Sequence, residues 1–294
     1  MQRRGSILKG IATLSLMVAN VVFWVPLLMT VALAKLLVPL ARWRKWTSRA
    51  MTALAEAWIA CNGAIFGLMR VLRLQVEGAA GLSTREWYLV VSNHRSWVDI
   101  LVLQKAFNRR IPFLKFFLKQ QLIYVPLLGI AWWALDFPIM KRHSATYLVR
   151  HPEARGQDLA ATRKACARFA HMPTSIMNFV EGTRFTPSKH AASKSPYRHL
   201  LPPRAGGIAF VLGAMDGLIE AVVDVTIAYP QGRPSVVDLF CGRVREVRVD
   251  VRVLPPPGAG DYENDAASRD AFQAWLNALW TEKDRSIGRM AGIA

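Results

Sequence analysis

The chain has 294 residues, a length that suits one large domain or a domain with an appendage; 52% of the residues are hydrophobic and 20% are charged. This balance excludes a disordered or collagen-like chain. Residues 1–150 carry 20 basic and 5 acidic side chains, whereas residues 151–294 carry 18 and 15. The first half is therefore expected to face an anion, which could be a nucleic acid, an anionic lipid or a phosphorylated substrate. The three widely spaced cysteines predict neither a metal site nor a disulfide framework.

The N-terminal quarter has the composition of a membrane anchor. No charged residue lies between Lys9 and Lys35, a segment longer than the roughly 20 residues that cross a hydrocarbon core. A second apolar run covers residues 57–69 and follows a basic linker that holds Arg42, Arg44, Lys45 and Arg49. We expect residues 1–74 to form a two-helix, membrane-associated segment and residues 75–294 to form a separate catalytic or binding domain.

Basic residues flank both apolar segments, and this pattern bears on their topology. A hairpin that crossed the bilayer would leave one basic cluster outside, against the positive-inside tendency. Helices that lie in one leaflet keep every cluster near anionic headgroups, and we expect this arrangement. A removable signal is the alternative, because Arg3-Arg4 resembles a twin-arginine signal and residues 32–34 resemble a cleavage site. The length of the apolar segment disfavours it, since the apolar regions of signals run about 7–15 residues.

From about residue 87 the pattern alternates between strands and helices, which predicts an α/β fold with a mostly parallel sheet and flanking helices. The expected strands are 87–91, 135–140, 175–180, 221–229 and 247–253, and the last of these alternates Val with charged residues. The expected helices are 96–107, 120–133, 153–170, 205–215 and 272–280. Residues 186–204 are expected to form an exposed loop. Function in such sheets lies at the carboxyl ends of the strands.

The first strand is followed by a histidine and, five residues later, by an aspartate. His94 and Asp99 can meet only if His94 lies in the loop and Asp99 in the first helical turn, with Ser96 as the N-cap. The carboxylate would then accept one ring N–H and leave the other nitrogen as a general base. The alternative is a capping box, in which Asp99 only receives backbone N–H groups.

Two further strand ends carry charge. Glu181, Gly182, Thr183 and Arg184 follow the strand at 175–180, where Gly182 permits close backbone approach and Arg184 suits phosphate oxygens. A charged turn with a Glu–Arg ion pair is the alternative. The strand at 135–140 ends in two more cations, Lys141 and Arg142. Three strand ends are thus expected to converge on one base and several cations.

These motifs together resemble the 1-acylglycerol-3-phosphate (lysophosphatidate) acyltransferase family of glycerolipid acyltransferases. The resemblance rests on Asn-His-x4-Asp at residues 93–99, followed about 80 residues later by Phe-Val-Glu-Gly-Thr-Arg at 179–184. It covers roughly residues 75–235, and an N-terminal pair of hydrophobic helices also fits the family. Further matching features are Lys119, Pro126-x2-Gly129, Arg142 and Arg204-Ala205-Gly206-Gly207.

The resemblance implies transfer of an acyl group from an acyl-CoA or acyl carrier protein thioester to the sn-2 hydroxyl of a lysophospholipid, without a metal, a bound cofactor or an acyl-enzyme. His94 would be the base and Asp99 its orienting partner. Arg142 and Arg184 would hold the acceptor's phosphate, and Glu181 and Gly182 would shape the site. Further candidate site residues are Thr183, Asn93, Ser96, Lys119 and Lys141. The implied location is the cytoplasmic face of a bacterial inner membrane.

Two blocks depart from the family pattern. Ile139-Met140-Lys141-Arg142 stands where an aromatic-Ile-Asp-Arg sequence is usual, and Val225–Tyr229 stands where Val-Pro is common. The latter form resembles the lysocardiolipin and broader lysophospholipid branch, so the acceptor could be another lysolipid or glycerol-3-phosphate. A basic membrane tether or nucleic-acid-binding protein is the alternative from a different class. The aromatic residues Phe116, Phe117, Trp132 and Trp133 are candidates for an acyl-chain tunnel, with plain core packing as the alternative.

Overall fold

The computed structural model describes residues 2–140, 163–164, 166–167, 171–215, 217–244, 246–258, 260, 262 and 265–292. Its helices are α1 (Gln2–Leu37), α2 (Ala41–Leu68), α3 (Val98–Phe107), α4 (Leu128–Ala134), α5 (Pro187–Ser193), α6 (Gly206–Ala214), α7 (Val236–Phe240) and α8 (Ala266–Ala291), with a 3-10 helix at Gln120–Tyr124. Its strands are β1 (Leu74–Glu77), β2 (Trp87–Ser92), β3 (Leu114–Phe116), β4 (Leu118–Lys119), β5 (Ile139–Met140), β6 (Ser175–Phe179), β7 (Ile219–Ala228) and β8 (Val247–Leu254). The helix expected at 153–170 falls largely outside the described residues.

Six strands form the main sheet in the order β1-β8-β7-β2-β6-β3. Every neighbouring pair is parallel except β7 and β8, which are antiparallel. The predicted α/β fold with a mostly parallel sheet is therefore confirmed. Parallel pairing brings the carboxyl ends of β2 and β6 side by side, with Ser92 opposite Phe179. The loops that follow these two strands must share one edge of the sheet.

The central strand β2 divides two hydrophobic cores. Tyr88 and Val90 pack into a core with α2 and α3, whereas Leu89 and Val91 pack into a core with α6 and α8. Successive side chains of a strand point to opposite faces, so a strand covered on both sides reads as a continuous apolar run. Helices cover both faces of the sheet, and the central strand is held firmly enough to position the loop after it.

A buried cluster of charged side chains joins the last helix, α8, to the sheet. Lys283 of α8 is fully buried and lies 2.6 Å from the Asp224 carboxylate on β7. Arg252 on β8 also pairs with Asp224, and the Lys283 ammonium donates to the carbonyl oxygen of Val225. Burial lowers the pKa of Lys283. The alternation predicted for β8 is confirmed, because its valines at 247, 249 and 251 are buried while the charged residues between them are not.

Both N-terminal helices are long and apolar enough to cross a membrane by length and composition. They also contribute to the first core through Leu28, Met51 and Phe66, among others. The predicted basic linker is wrong, because residues 42–49 belong to α2 and only residues 38–40 join the two helices. The division at residues 74 and 75, and the arrangement of the helices in a leaflet, stay predictions.

Three expected elements differ from the structure. The helix expected at 120–133 is broken around Pro126, since the residue before a proline avoids the helical conformation and Val125 has ψ 119°. The strand expected at 135–140 is reduced to β5, which pairs with β4 in a separate two-stranded sheet. The loop expected at 186–204 contains α5, and Leu200 and Leu201 are buried within it.

Gly129 allows the chain to pack closely on itself where the helix expected at 120–133 is broken. A Cβ at this position would lie 1.8 Å from the carbonyl oxygen of Ile123, so only glycine lets the start of α4 pack against the preceding 3-10 helix. The Pro126-x2-Gly129 pattern therefore has a structural role: proline ends the 3-10 helix, and glycine permits the close approach that follows.

Candidate active site

The loop between β2 and α3 brings a histidine and an aspartate together. His94 lies in the loop and Asp99 in the first turn of α3, and Nδ1 of His94 lies 2.8 Å from Oδ2 of Asp99. An ionised carboxylate only accepts hydrogen bonds, so Nδ1 is the donor and carries the proton. Nε2 is left as the acceptor. The structure therefore brings the two side chains together, and their catalytic role stays a prediction.

Asp99 is fully buried and its charge is met by four donors. Besides His94, the backbone N–H groups of Arg95 and Ser96 donate to Oδ2 at 2.6 and 2.8 Å. The hydroxyl of Tyr229 donates to Oδ1 at 2.5 Å. Burial and the charge of Asp99 raise the pKa of Tyr229 well above its usual range, so the phenol stays protonated and donates.

The capping interpretation and the dyad interpretation of Asp99 both hold. Ser96 Oγ accepts the N–H of Val98, as a helix cap would, while Asp99 accepts the N–H of Ser96 in return. The helix begins one residue later than predicted, with Trp97 as its cap residue. Ser96 Oγ donates to the carbonyl oxygen of Pro234 at 2.6 Å. The Ser96 hydroxyl is therefore committed elsewhere and is not activated by His94.

The imidazole of His94 lies on the ring of Phe179, the last residue of β6. The ring centroids are 3.9 Å apart and the planes are 13° from parallel. Only 13% of the His94 side chain is exposed. Among the residues that the structure describes, no group hydrogen-bonds to Nε2. The stacking and the Nδ1 bond together fix the ring, and Nε2 is available to a substrate.

Glu181 ties the β6 loop to the histidine loop. Its carboxylate accepts the backbone N–H of His94 at 2.9 Å and that of Leu201 at 3.1 Å. In return, the N–H of Phe185 donates to the His94 carbonyl oxygen at 2.7 Å. Burial raises the pKa of Glu181 to about 7, although the two N–H donors oppose that rise. The described residues include no Glu181–Arg184 ion pair, so the charged-turn alternative is wrong.

The three residues after Glu181 form a turn that carries a cation. Gly182 has φ +69°, in the left-handed region that favours glycine. Thr183 Oγ1 accepts a hydrogen bond from Lys189 at 2.6 Å. The guanidinium of Arg184 lies over the ring of Trp97, 4.8 Å from its centroid. Since Trp97 is the cap residue of α3, Arg184 is held beside the same helix turn as Asp99.

Sequence reasoning missed two groups of this site. Tyr229 was noted only as a departure from the family pattern, and its contact with Asp99 spans 130 residues of chain. Arg95 lies over the ring of Phe185, and burial lowers its pKa while the charges of Glu181 and Asp99 oppose that effect. A cation directly after the histidine was the available signal for Arg95. No local signal could have paired Tyr229 with Asp99.

The remaining candidate residues fall into three groups. Asn93 is buried and positions the loop, because its amide both donates to and accepts from the backbone of Ile227 on β7 at 2.9 Å. Lys119 is exposed on β4, in the small second sheet and not at the end of β2 or β6. Lys141 and Arg142 lie outside the described residues. Of the three predicted strand ends, only those of β2 and β6 are brought together in the main sheet.

An apolar cavity of about 200 Å³ lies beside this site, between α1, α2, α3 and α4. Trp97, whose ring supports Arg184, is part of its lining, and so are Phe116 and Trp132. Phe117 packs instead against the second core, and Trp133 is 54% exposed. Two of the four predicted tunnel residues therefore line this cavity, and the tunnel itself stays a prediction. Trp97 connects the cavity to the polar site.

The comparisons with known proteins agree with this geometry. A family model described as "Acyltransferase" matches residues 73–229, just over half of the chain. The chain belongs to this acyltransferase family. The matched residues include the His94–Asp99 pair, the Glu181–Arg184 turn and Tyr229. Across the described residues, no group of three or more His, Cys, Asp or Glu side chains could hold a metal ion.

Named relatives narrow the family further. The mouse 1-acyl-sn-glycerol-3-phosphate acyltransferase gamma is 29% identical over 68% of this chain and 52% of its own length. Mouse lysocardiolipin acyltransferase 1 is 26% identical over 83% of this chain and 64% of its own length. The chain thus spans about half the length of the first of these relatives. Both fit the lysophosphatidate acyltransferase family that the motifs indicated.

One solved structure shares the fold over nearly the whole chain. The 1-acyl-sn-glycerophosphate (LPA) acyltransferase PlsC from Thermotoga maritima superposes with a TM-score of 0.56 and 15% identity, and the match covers 95% of this chain and 98% of that one. Because the match extends over 95% of this chain, most of the N-terminal helix pair belongs to the shared fold.

We predict that replacing Glu181 with Gln changes how stability depends on pH. The pKa of Glu181 is about 7 in the folded protein and near 4.5 when unfolded, so the folded state binds the extra proton between these values. The free energy of unfolding of the wild type should therefore fall, relative to that of Glu181→Gln, as pH rises from about 4.5 to about 7. The fall should be as much as about 3 kcal/mol.

Denaturant unfolding in neutral detergent at pH 5 and pH 7.5 measures this difference. Glu220→Gln is the control, since Glu220 is an exposed carboxylate on β7. An equal difference between wild type and Glu181→Gln at both pH values would contradict the desolvated state assigned to this carboxylate.

Proposed function

We propose that this protein transfers a fatty acyl group from an acyl thioester to the sn-2 hydroxyl of lysophosphatidate or a related lysophospholipid. The observation that carries the proposal is the His94–Asp99 dyad, with a free Nε2, beside Arg184 and Arg95. A base next to cations is what a phosphate-bearing alcohol requires. The names of the relatives support the same chemistry.

In this mechanism, Nε2 of His94 takes the proton from the acceptor hydroxyl as its oxygen attacks the thioester carbonyl. The C–O bond forms, the tetrahedral intermediate collapses, the C–S bond breaks, and the leaving thiolate takes the proton from the imidazolium. Asp99 orients the ring and stabilises its charged form. General-base help of this kind contributes about 10²–10⁴-fold in rate.

Direct transfer is favoured over an acyl-enzyme. The hydroxyl nearest the dyad in sequence, Ser96, donates to the carbonyl oxygen of Pro234, and the hydroxyl of Ser92 donates to the backbone of Asn93. Neither hydroxyl bonds to the imidazole, so neither is activated as a nucleophile. The hydroxyl that His94 deprotonates is therefore the substrate's own.

The acceptor's phosphate would be held by Arg184, with Arg95 as a second, more buried cation. Guanidinium groups offer paired donors that match phosphate oxygens. The contact of Arg184 with the ring of Trp97 limits the conformations of its side chain while leaving guanidinium N–H donors available. Arg142 remains a proposed third group on the strength of the family resemblance alone.

The acyl chain would occupy the apolar cavity lined by Trp97, Phe116 and Trp132. Trp97 is shared by the cavity and the Arg184 contact, so a thioester carbonyl placed near His94 has an apolar space adjacent to it. Helices α1 and α2 contribute to the lining and expose large apolar side chains, among them Phe23 and Leu33. We propose that these two helices attach the protein to a membrane, the cytoplasmic face of a bacterial inner membrane being the expected site.

A second acceptor has a specific observation in its favour. The segment that ends in Tyr229 has the form associated with the lysocardiolipin branch, and the relative named for lysocardiolipin matches the larger share of this chain. We therefore propose other lysophospholipids, lysocardiolipin included, as candidate acceptors. Coenzyme A and acyl carrier protein are both proposed donors. A panel of lysolipids assayed with each thioester separates these possibilities.

Replacing His94 with Ala should remove the base and lower acyl transfer to lysophosphatidate at least about 100-fold. The measurement is the formation of labelled phosphatidate from an acyl thioester by the full chain in vesicles. His190→Gln is the control, because glutamine can still donate to the Tyr197 carbonyl oxygen that His190 contacts. Turnover by His94→Ala close to the control would remove His94 from the mechanism.

Replacing Tyr229 with Phe should lower kcat about tenfold, since one donor to a buried carboxylate is lost. Asp99 would then hold the protonated imidazole more strongly, so the acidic limb of the pH–rate profile should move to higher pH. Tyr124→Phe is the control, as Tyr124 is 79% exposed. A lower rate with an unmoved pH profile would mean that Tyr229 only supports packing.

Replacing Ile100 with Trp should narrow the apolar cavity, because Ile100 belongs to its lining on α3. We expect preference to shift towards shorter acyl chains, with transfer of short chains retained. Competition between thioesters of different length measures the shift. Val237→Trp, at an exposed position on α7, is the control. A uniform loss for all lengths would place the acyl chain elsewhere.

A further inference from the structure

Three neighbouring strands end at the candidate active site, and an arginine lies in the segment that follows each of them. Strand β2 lies between β7 and β6 and is parallel to both. Arg95 follows β2, Arg184 follows β6, and Arg233 lies in the segment that joins β7 to α7. The proposed reaction assigns Arg95 and Arg184 to one phosphate and leaves Arg233 unassigned.

The segment that carries Arg233 is fixed on both sides of it. On one side, the N–H of Gly232 donates to the carbonyl oxygen of Tyr229 at 2.9 Å and closes a tight turn, in which Gly232 has φ +89°. On the other side, the carbonyl oxygen of Pro234 accepts the Ser96 hydroxyl at 2.6 Å. The backbone of Arg233 is therefore positioned beside the turn that begins α3.

The side chain of Arg233 is exposed, and its charge acts on the histidine loop. Burial lowers the pKa of Arg95, the charge of Arg233 lowers it as well, and the carboxylates of Glu181 and Asp99 oppose both effects. Each of these carboxylates already accepts hydrogen bonds from other donors. Within the part of the chain that the structure describes, no carboxylate forms an ion pair with Arg95, Arg184 or Arg233.

The sheet separates the segments that carry Arg184 and Arg233. Neighbouring strands lie about 4.8 Å apart, so the segments that follow β6 and β7 begin about 10 Å from each other, one on each side of β2. His94 follows β2 and therefore lies in the loop between them. Arg184 is also held over the ring of Trp97. The two arginines thus mark two positions for an anion, with the proposed base between them.

Two anion positions on either side of a base suit an acceptor with two phosphate groups. Lysocardiolipin, one of the acceptors proposed above, has two phosphodiester groups joined through a glycerol. Coenzyme A also carries phosphates, but the whole pantetheine arm separates its diphosphate from the thioester. When the thioester carbonyl lies near His94, a phosphate beside the same loop therefore belongs to the acceptor.

We infer that Arg233, together with Arg95, forms a second phosphate subsite, and that Arg233 favours acceptors with two phosphate groups. The first phosphate would lie at Arg184, and the second would accept charge-assisted hydrogen bonds from the guanidinium of Arg233. Since the backbone around Arg233 is already fixed, less ordering of the chain is needed when the phosphate binds. The inference rests on the proposed function, because it requires a lysophospholipid acceptor at His94.

Substitution of Arg233 tests the inference with three acceptors, assayed with the full chain in neutral detergent. Lysocardiolipin has two phosphates, lysophosphatidylglycerol has one phosphate and keeps the glycerol, and lysophosphatidate has one phosphate alone. Arg233→Gln should lower kcat/KM for lysocardiolipin about tenfold, mainly through a higher KM, and should change kcat/KM for the other two less than about twofold. Arg233→Lys keeps the charge and should lose less. Arg85→Gln is the control, because Arg85 is exposed and precedes β2, at the other end of that strand.

Three outcomes of this assay would overturn the inference. Equal losses with all three acceptors would mean that Arg233 contacts a group common to all three reactions, such as the thioester donor. An unchanged kcat/KM for lysocardiolipin would remove Arg233 from the subsite. A wild-type protein that acylates lysophosphatidate and not lysocardiolipin would exclude the proposed preference.

A binding measurement separates the inference from the proposed reaction. Without a thioester, the melting temperature is measured in neutral detergent with lysocardiolipin or with lysophosphatidylglycerol, since a ligand that binds the folded state stabilises it. Lysocardiolipin should give the larger rise, and Arg233→Gln should remove the excess while Arg85→Gln keeps it. Such an excess in a protein that acylates none of the three lipids would support the subsite and contradict the proposed reaction. Acylation of lysophosphatidate without any excess would overturn the subsite alone.

Discussion

A single buried carboxylate organises the candidate active site of this protein. Asp99 is removed from water, and an unpaired charge in that position would be prohibitively costly. It is stable because four donors converge on it: the ring of His94, two backbone N–H groups and the phenol of Tyr229. The same bonds that satisfy the charge also shape the loop, begin α3 and fix the imidazole. Capping and chemical orientation are therefore two effects of one arrangement.

The candidate active site also requires that two loops distant in sequence lie close together, and the parallel sheet brings them together. Strands β2 and β6 are paired in register up to Ser92 and Phe179, so the residues after them meet. Glu181 then bridges the loops through the N–H groups of His94 and Leu201, at the cost of burying a carboxyl whose pKa rises to about 7. The cost of burying this carboxyl is tolerated because β2 and β6 lie inside the sheet, where neighbouring strands hold both of them in place.

The N-terminal helices are part of the structure that surrounds the candidate active site. Their inner residues, such as Leu28 and Phe66, complete the core against the sheet, and others line the apolar cavity beside the dyad. Their outer faces expose large apolar side chains. The proposed acyl-chain cavity is thus bordered by the same helices that are proposed to attach the protein to a membrane.

The sequence by itself determined the α/β class, the mostly parallel sheet and the apolar helix pair, because each depends on the local periodicity of apolar residues. The short spacing of His94 and Asp99 made their contact a prediction, with a capping box as the alternative. The sequence did not predict the contacts that depend on residues distant in the chain. Tyr229 reaches Asp99 across 130 residues, Glu181 bonds to backbone groups instead of to Arg184, and the strand expected at 135–140 joined a separate sheet. Pro126 broke a helix that apolar composition alone had favoured. Only the tertiary structure decided which side chains line the same cavity or contact the same charged group, because those contacts arise from the packing of whole helices and strands.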